Sequence, residues 1–335
     1  MAIVTGASGW LGQPLVRALA ARGTRVRCLV QDPLAAAVLE IASPQIETVV
    51  GDVRAPADLD RLFHGADEAS VFHAASVIHP NGTTREFFDI NVGGTALALD
   101  RARRAGVSRF VYVSSNSPFG TNASQMDRFD EDAPYKPALG YGRSKMEAEL
   151  LVRRSAEVGD VQTVIIRCPW FYGPFQPPRQ TRFFELVRRG IFPLMGNGEN
   201  RRSLAYVDNL VQGLILAELT ERAAGRSYWI ADAEPYTMRE IVGAVRAAFE
   251  AEGLSVSRRH IRLPAMVSGL AKKADGALQG MGRYSSQLHV LGEMRSTIAC
   301  SVERARTELG YHPNVSLNEG MRRSVRWCID RGDLV

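Results

Sequence analysis

Nowhere in its 335 residues does the chain carry an apolar run approaching the roughly 20 residues that a membrane-spanning helix needs, so no membrane partner is expected. The first apolar strand starts at residue 2, which leaves no room for a signal or transit peptide and points to the cytoplasm. Cysteines are few and scattered: Cys28, Cys168, Cys300 and Cys328 show no Cys-x-x-Cys spacing. A disulfide framework and a metal site are therefore not expected, and the thiols read as buried and reduced. Neither sign of charge dominates, since 41 basic residues against 36 acidic ones leave a net +5. No interleaving of arginine or lysine with aromatics accompanies that excess, so nucleic acid is not an expected partner. Six arginines cluster as Arg179, Arg182, Arg188, Arg189, Arg201 and Arg202. They would either meet a phosphorylated substrate or form an ordinary solvated face. Low-complexity segments and internal repeats are also missing.

What is present is an alternation of short apolar strands and amphipathic helices. Strands are expected at 2–5, 24–30, 46–50, 69–74, 109–114 and 163–167. Helices are expected at 10–22, 33–42, 57–63 and 84–105, and from Tyr141 to about 157. This is the pattern of an α/β, doubly wound parallel (Rossmann) sheet with its ligand at the carboxyl ends of the strands. The dinucleotide-binding domain would span 1–170, with a return around 204–232. After Cys168-Pro169 the alternation breaks. Residues 171–203 and 233–335 read as a smaller, mostly helical substrate-binding domain, with a helix near 181–189, a turn at Gly196-Asn197-Gly198 and a capping box at Ser316…Glu319.

Two constellations carry chemistry. Gly6-Ala7-Ser8-Gly9-Trp10-Leu11-Gly12 joins the first strand to the first helix. Glycines there let the backbone approach a pyrophosphate, and the helix N-terminus offers free N–H groups and partial positive charge. Tyr141 and Lys145 stand one helical turn apart, downstream of Ser115 at the mouth of the fifth strand. A phenol of pKa about 10 is a poor base at neutral pH. Lys145 would lower it and hold the nicotinamide ribose, while Ser115 would orient the substrate oxygen. Asp52 and Val53 follow the third strand, where Asp52 would either accept from the adenine amino group, with Val53 over the ring, or cap the next helix.

With these residues in place, the chain resembles an extended short-chain dehydrogenase/reductase of the NAD-dependent epimerase/dehydratase type. Further matches are Phe72-His73-Ala74-Ala75, Asn91-Val92-Gly93-Gly94-Thr95, Arg167-Cys168-Pro169 with Tyr172-Gly173-Pro174, and Tyr206-Val207-Asp208-Asn209. Arg304-Ala305 with Glu308-Leu309-Gly310-Tyr311, and Ser316-Leu317 with Glu319-Gly320, resemble the family's closing segment, so the similarity spans nearly the whole chain. The resemblance implies catalytic roles for Ser115, Tyr141 and Lys145, with Asn91 supporting the active-site water network. It implies cofactor contacts at Gly6, Ser8, Gly9, Trp10, Leu11, Gly12, Gln31, Asp32, Asp52, Val53, Ala74, Ala75, Ser76, Tyr141, Lys145, Pro169 and Phe171. Substrate contacts would come from Ser117, Phe119, Trp170, Tyr172 and Arg202, within a pocket lined by 80–83, 117–119, 170–172 and 175–202. His73 reads as a loop-ordering residue. A homodimer through helices 86–105 and 142–156 is a family expectation.

Within the family, a 4,6-dehydratase needs an Asp-Glu pair after the catalytic hydroxyl, and Asn116 and Ser117 stand there instead. Gly196-Asn197-Gly198-Glu199-Asn200 and Tyr206-Val207-Asp208-Asn209-Leu210 resemble the 3β-hydroxysteroid dehydrogenase-like branch. The expected activity is NAD(P)-dependent hydride transfer between nicotinamide and a secondary alcohol or ketone, a small-molecule substrate. Phe175-Gln176-Pro177-Pro178 lacks the asparagine that epimerases use for the nucleotide, although Arg202 sits where nucleotide-sugar enzymes hold a diphosphate. The alternatives are a nucleotide-sugar 4-epimerase and a dinucleotide-sensing protein without chemistry. Cofactor choice leans to NADP: the second strand ends Leu29-Val30-Gln31-Asp32, with no carboxylate clearly placed to repel a 2′-phosphate.

Overall fold

The computed structural model describes residues 1–159, 161–259 and 261–334, with residue 265 described by its backbone alone. Its first half runs β1 (Ala2–Thr5), α1 (Gly12–Ala21), β2 (Val26–Val30), α2 (Pro33–Ala42), β3 (Ile46–Val50), α3 (Pro56–Phe63) and β4 (Ser70–His73). It continues with α4 (Arg85–Phe88), α5 (Gly94–Arg104), β5 (Arg109–Ser115), α6 (Gly140–Val158) and β6 (Gln162–Cys168). The second half comprises β7 (Trp170–Tyr172), α7 (Pro178–Arg188), β8 (Pro193–Met195), β9 (Arg201–Arg202), β10 (Leu204–Tyr206), α8 (Val207–Leu219) and β11 (Ser227–Trp229). It closes with β12 (Tyr236–Thr237), α9 (Met238–Ala251), β13 (Ile261–Leu263), α10 (Ala265–Gly280), α11 (Ser286–Glu293), α12 (Glu303–Leu309) and α13 (Leu317–Asp330).

Seven strands form one sheet in the order β3-β2-β1-β4-β5-β6-β11, every neighbouring pair parallel. Strands β1 and β2 are buried at every residue. Their near-continuous apolar sequences suit a parallel sheet covered by helices on both faces. Helix α1 buries Leu15, Val16, Leu19 and Ala20 along one stripe. Three two-stranded ribbons, β7 with β10, β9 with β12 and β8 with β13, join the helices of the second half. One apolar cluster runs from Val4 and Val16 through Leu204 and Trp229 to Phe249, Met321 and Val325, so the C-terminal helices share a core with the sheet. All four cysteines are free and buried.

Two elements differ from the sequence expectation. The helix expected over 84–105 contains a π-helical turn, Asp89–Gly93, between α4 and α5. Asn91 at its centre sends its side chain inward to the Val77 backbone, the type of functional demand that π turns accompany. The capping box expected at Ser316 is half-formed. Ser316 Oγ accepts from the Glu319 N–H at 3.4 Å, but the Glu319 carboxylate is drawn to Arg322 and Arg323. A complete box closes Thr237 on Glu240 at the start of α9.

Helix α6 is fixed to the sheet by a buried ion pair. Arg167 on β6 reaches Glu149 at 3.0 Å, with both side chains essentially excluded from water. Glu149 also accepts from the Tyr135 hydroxyl at 2.7 Å, Arg167 donates to the Glu131 carbonyl, and the guanidinium lies 4.3 Å from the centre of the Phe119 ring. Removing one member would leave the other charge buried without its partner. Glu149→Ala should therefore lower the unfolding free energy by about 3–5 kcal/mol in urea titrations followed by circular dichroism. A loss within about 0.5 kcal/mol, typical of a surface change, would show that the pair does not hold the helix.

Candidate active site

The glycine turn sits on the carboxyl end of β1, pressed against the segment that leaves β4. Gly6 has φ +70°, and a Cβ there would stand 2.7 Å from the Ala75 nitrogen. A Cβ on Gly12 would stand 2.1 Å from the Gly6 oxygen, so the turn closes tightly only with glycine at both positions. Gly9 is exposed at the tip, and the Ser8 carbonyl accepts from Gln13. Leu11 is buried and heads α1 without a side-chain cap, and no acidic residue stands in the first turn. The N–H groups of Gly9 and Gln13 donate to the carbonyls of Gly6 and Gly9, and the positive pole of α1, with neither a cap nor a carboxylate beside it, fits a dinucleotide pyrophosphate. Trp10 donates to the carbonyls of Gly173 and Pro174 and packs on Phe171 at 4.6 Å, tying the turn to the strand beyond Pro169.

Beneath the turn, a chain of hydrogen bonds runs from the Ala75 N–H to Thr5 Oγ1, from Thr5 to His73 Nδ1, from His73 Nε2 to Thr95 Oγ1, and from Thr95 to the Asn91 carbonyl. Because Thr95 donates onward to a carbonyl, His73 must donate from Nε2 and accept at Nδ1. Burial, helped by the Lys145 charge, holds its pKa down to about 3. His73 is thus a neutral ring ordering the loop. Asn91 accepts from Ser76 Oγ and the Val77 N–H, and donates to the Val77 carbonyl and Ser144 Oγ. Ser144 in turn donates to the Tyr141 carbonyl at 2.8 Å. All four positions of the Asn91 amide are filled by protein, so in this structure it is a positioning residue that fastens Ser76 and Val77 to α6.

Ser115, at the end of β5, and Tyr141, in the first turn of α6, meet at the mouth of the cleft. Burial raises the Tyr141 phenol to about 12, opposed by hydrogen bonding to Ser115 and Ser76 and by the charge of Arg179. Lys145, expected to lower this pKa, is not among the groups that act most strongly on the phenol. Its ammonium is buried, donates to the Val113 carbonyl at 2.8 Å and lies 4.4 Å from the centre of the Tyr112 ring. Burial brings Lys145 itself down to about 7. Spacing on a helix sets which face a side chain occupies, while the depth of the groove sets what it touches.

Beyond the end of β3, Val53 is buried against Gly94, and Asp52 does not cap α3, whose N-cap is Ala55. Arg54 takes both oxygens of Asp52, at 3.0 and 2.6 Å, and holds that carboxyl below its ordinary range. Gln31 reaches Asp52 at 3.3 Å, while Asp32 caps α2 by accepting from the Leu34 N–H.

The residues expected to touch substrate divide. Ser117 lies 3.3 Å from Ser115, hydroxyl to hydroxyl, and lines a cavity with Tyr141. Trp170 is half-buried and bonded to Gln180. Phe119, by contrast, is buried among Tyr135, Trp229 and Arg167, and the Tyr172 hydroxyl is spent on Asp232 at 2.9 Å in the interior. Arg202 donates to the Glu293 carbonyl. Sequence reasoning missed the far wall of the cavity, formed by Lys272, Asp275, His289 and Glu293 of α10 and α11. It also missed the 2.5 Å bond between His79 and the Tyr284 hydroxyl. No local motif marks these residues, which reach Tyr141 only through the return of the C-terminal helices.

Residues 2–231 match the sequence profile of the NAD dependent epimerase/dehydratase family, and the chain belongs to it. It is 44% identical to the uncharacterized protein y4nL of Sinorhizobium fredii, over 99% of this chain and 96% of the relative. It is 31% identical to a 3 beta-hydroxysteroid dehydrogenase/Delta 5-->4-isomerase of Mycobacterium tuberculosis, over 98% and 90%. The crystal structure of DesIV, a dTDP-glucose 4,6-dehydratase from Streptomyces venezuelae with NAD and TYD bound, superposes with a TM-score of 0.77 at 26% identity. That superposition covers 99% of this chain and 98% of the dehydratase.

The buried Lys145 makes stability depend on pH. Between about pH 7 and its ordinary 10.5, the unfolded chain binds a proton that the folded chain has released, so stability gains as pH rises, by at most about 1.4 kcal/mol per unit. Lys145→Met removes this term. In urea titrations its advantage over wild type should be largest below about pH 7 and shrink toward about pH 10. A constant difference would show that Lys145 keeps its ordinary pKa.

Proposed function

We propose that the chain is an NAD(P)-dependent oxidoreductase that moves hydride between nicotinamide and the carbon of a secondary alcohol or ketone. The observation that carries this reading is the meeting of Tyr141, Ser115 and Ser76 at the carboxyl edge of the sheet, beside the glycine turn. When bound, the nicotinamide supplies or accepts the hydride. Gly6, Gly9, Gly12 and the N-terminus of α1 would hold its pyrophosphate, with Val53 toward the adenine. Tyr141, protonated at neutral pH, donates its proton to the substrate oxygen in the reducing direction, and its phenolate takes the alcohol proton in the reverse. Ser115 donates a hydrogen bond that orients that oxygen. Asn91 keeps the phenol in place through Ser144. Preorganised donors at the site of developing charge, together with a positioned acid, account for the chemistry without a metal ligand set.

The 3β-hydroxysteroid dehydrogenase relative supports this branch, and Asn116 with Ser117 in place of an acid pair argues against the dehydration named for DesIV. NADP(H) is the preferred form in this reading. Gln31 is neutral, Asp32 is occupied in capping α2, and Arg54 stands beside the Asp52–Gln31 contact. The exposed edge of Leu150 on α6 is consistent with a homodimer through α5 and α6, and a solution mass near the single-chain 36.8 kDa would contradict it.

Tyr141→Phe should lower kcat/KM for NADPH-dependent ketone reduction by about 10²–10⁴-fold, with nucleotide affinity unchanged. Unaltered turnover would end the catalytic assignment. Titration should show NADPH binding at least about tenfold tighter than NADH, a difference of roughly 1.4 kcal/mol. Equal affinities would remove the NADP preference. Near-stoichiometric NAD released on denaturing fresh protein would instead favour a nucleotide-sugar 4-epimerase, whose closed hydride cycle retains its cofactor.

A further inference from the structure

Hydride transfer leaves one polar group of the cavity unused, His289 of α11. It lines the same cavity as Tyr141 and Ser117, on the wall shared with Lys272, Asp275 and Glu293. Its Nδ1 lies 2.9 Å from the buried carboxylate of Asp275. A carboxylate only accepts, so Nδ1 carries a hydrogen and the ring is fixed in direction. The other oxygen of Asp275 accepts from Gln279 Nε2 at 3.0 Å, and Gln279 Oε1 accepts from the Gly140 N–H at 3.1 Å. Gly140 opens α6 immediately before Tyr141. Three hydrogen bonds in series thus hold the ring at a set place against the head of the helix that carries the phenol. Nε2 is left over. It makes no hydrogen bond among the described residues, and the nearer Glu293 oxygen stands 3.8 Å away. That gap is too long for a hydrogen bond and leaves a place for a polar group between the two.

The cavity measures about 30 Å³, room for a group the size of water and not for a ring. The group seated there must offer a hydrogen, because the Glu293 carboxylate and the Nε2 lone pair both accept. An anion would meet the carboxylates of Asp275 and Glu293, and a cation would meet Lys272 on the same wall. A carbonyl oxygen brings no hydrogen. A hydroxyl is neutral, donates, and is of the right size. We infer that His289 is a substrate-binding residue whose Nε2, with the Glu293 carboxylate, holds a second hydroxyl of the substrate across the cavity from Tyr141. The inference rests on the oxidoreductase reading of the same cleft and narrows its substrates to hydroxyketones and diols. Asp275 and Gln279 are then positioning residues that fix the distance between the two oxygens the protein reads.

The test titrates cyclohexanol and the isomeric cyclohexanediols into the NADPH-loaded protein by calorimetry, a state in which the cofactor cannot take hydride from an alcohol. At least one diol should bind about tenfold tighter than cyclohexanol, as a hydrogen bond to a charged acceptor provides. In His289→Asn the amide nitrogen takes the place of Nδ1 and keeps the bond to Asp275, with nothing at the place of Nε2. That variant should erase the margin, while cyclohexanol and NADPH bind it as they bind wild type. His289→Gln, whose amide takes the place of Nε2, should keep part of the margin. A purely structural ring predicts the reverse order, with the margin kept in the asparagine variant and lost in the glutamine variant, and that result would overturn the inference. So would diols that bind wild type no tighter than cyclohexanol, as expected if water alone fills the cavity. Reduction of cyclohexanone and its hydroxylated derivatives, run alongside, keeps the two readings apart. Turnover without preference for the hydroxylated ketones would sink the His289 assignment alone, and a diol margin without turnover would sink the oxidoreductase reading alone.

Discussion

The position of the reacting groups depends on the pair Arg167–Glu149. Glu149 lies one helical turn beyond Lys145, and Arg167 lies one residue before the end of β6, so the ion pair sets how deeply α6 sits on the sheet. Apolar residues of similar volume can match or exceed the stability of such a pair. A charge pair ringed by Tyr135, the Glu131 carbonyl and the Phe119 ring has a further property: it accepts one arrangement. Slipping α6 along its axis would break several directional bonds together, whereas an apolar seam would tolerate a small slide. Register on this helix is therefore set electrostatically, and the Tyr141 phenol inherits that register.

A second buried polar chain performs the matching task on the other side of the cleft. Through Thr5, His73, Thr95 and Asn91 it joins β1, β4, α5 and the π turn, and Ser144 completes it to the backbone of Tyr141. Every member both donates and accepts, so the network is satisfied in a single tautomer of His73. Low surrounding polarity strengthens such bonds and makes any defect costly. The arrangement explains why chemistry-bearing residues from distant parts of the chain can sit on a loop without the loop wandering.

Much of this was legible before folding. The sheet was readable because parallel strands buried on both faces appear as short apolar runs separated by helices. The glycine turn, Ser115, Tyr141 and Lys145 were readable because each belongs to a contiguous pattern. Depth was not readable: nothing in Tyr-Gly-Arg-Ser-Lys says that the Lys145 ammonium turns to the Val113 carbonyl instead of to Tyr141. Direction within short turns was equally hidden, which is why Phe119 and Tyr172 looked like pocket residues and lie in the interior. The link between Gln31 and Arg54 was also hidden, because the two meet only through the shared Asp52 carboxylate. The cavity wall of Asp275 and His289 comes from more than 130 residues downstream of Tyr141, without a motif of its own.

The π turn at Asp89–Gly93 has a consequence for how this helix tolerates change. Successive residues of a regular α-helix are separated by about 100° around the axis, and a π turn accommodates one residue more than the regular path would hold. The segment Arg85–Phe88 is thereby phased against the rest of the rod, and Phe87 lies between Tyr141 at 5.8 Å and Tyr284 at 5.5 Å. Loss of one residue at this point would lengthen the regular helix and leave the sheet untouched. It would also rotate everything N-terminal to the turn by roughly a quarter revolution, carrying Phe87 out from between the two phenols. At this place in the chain, a change in length is a change in azimuth.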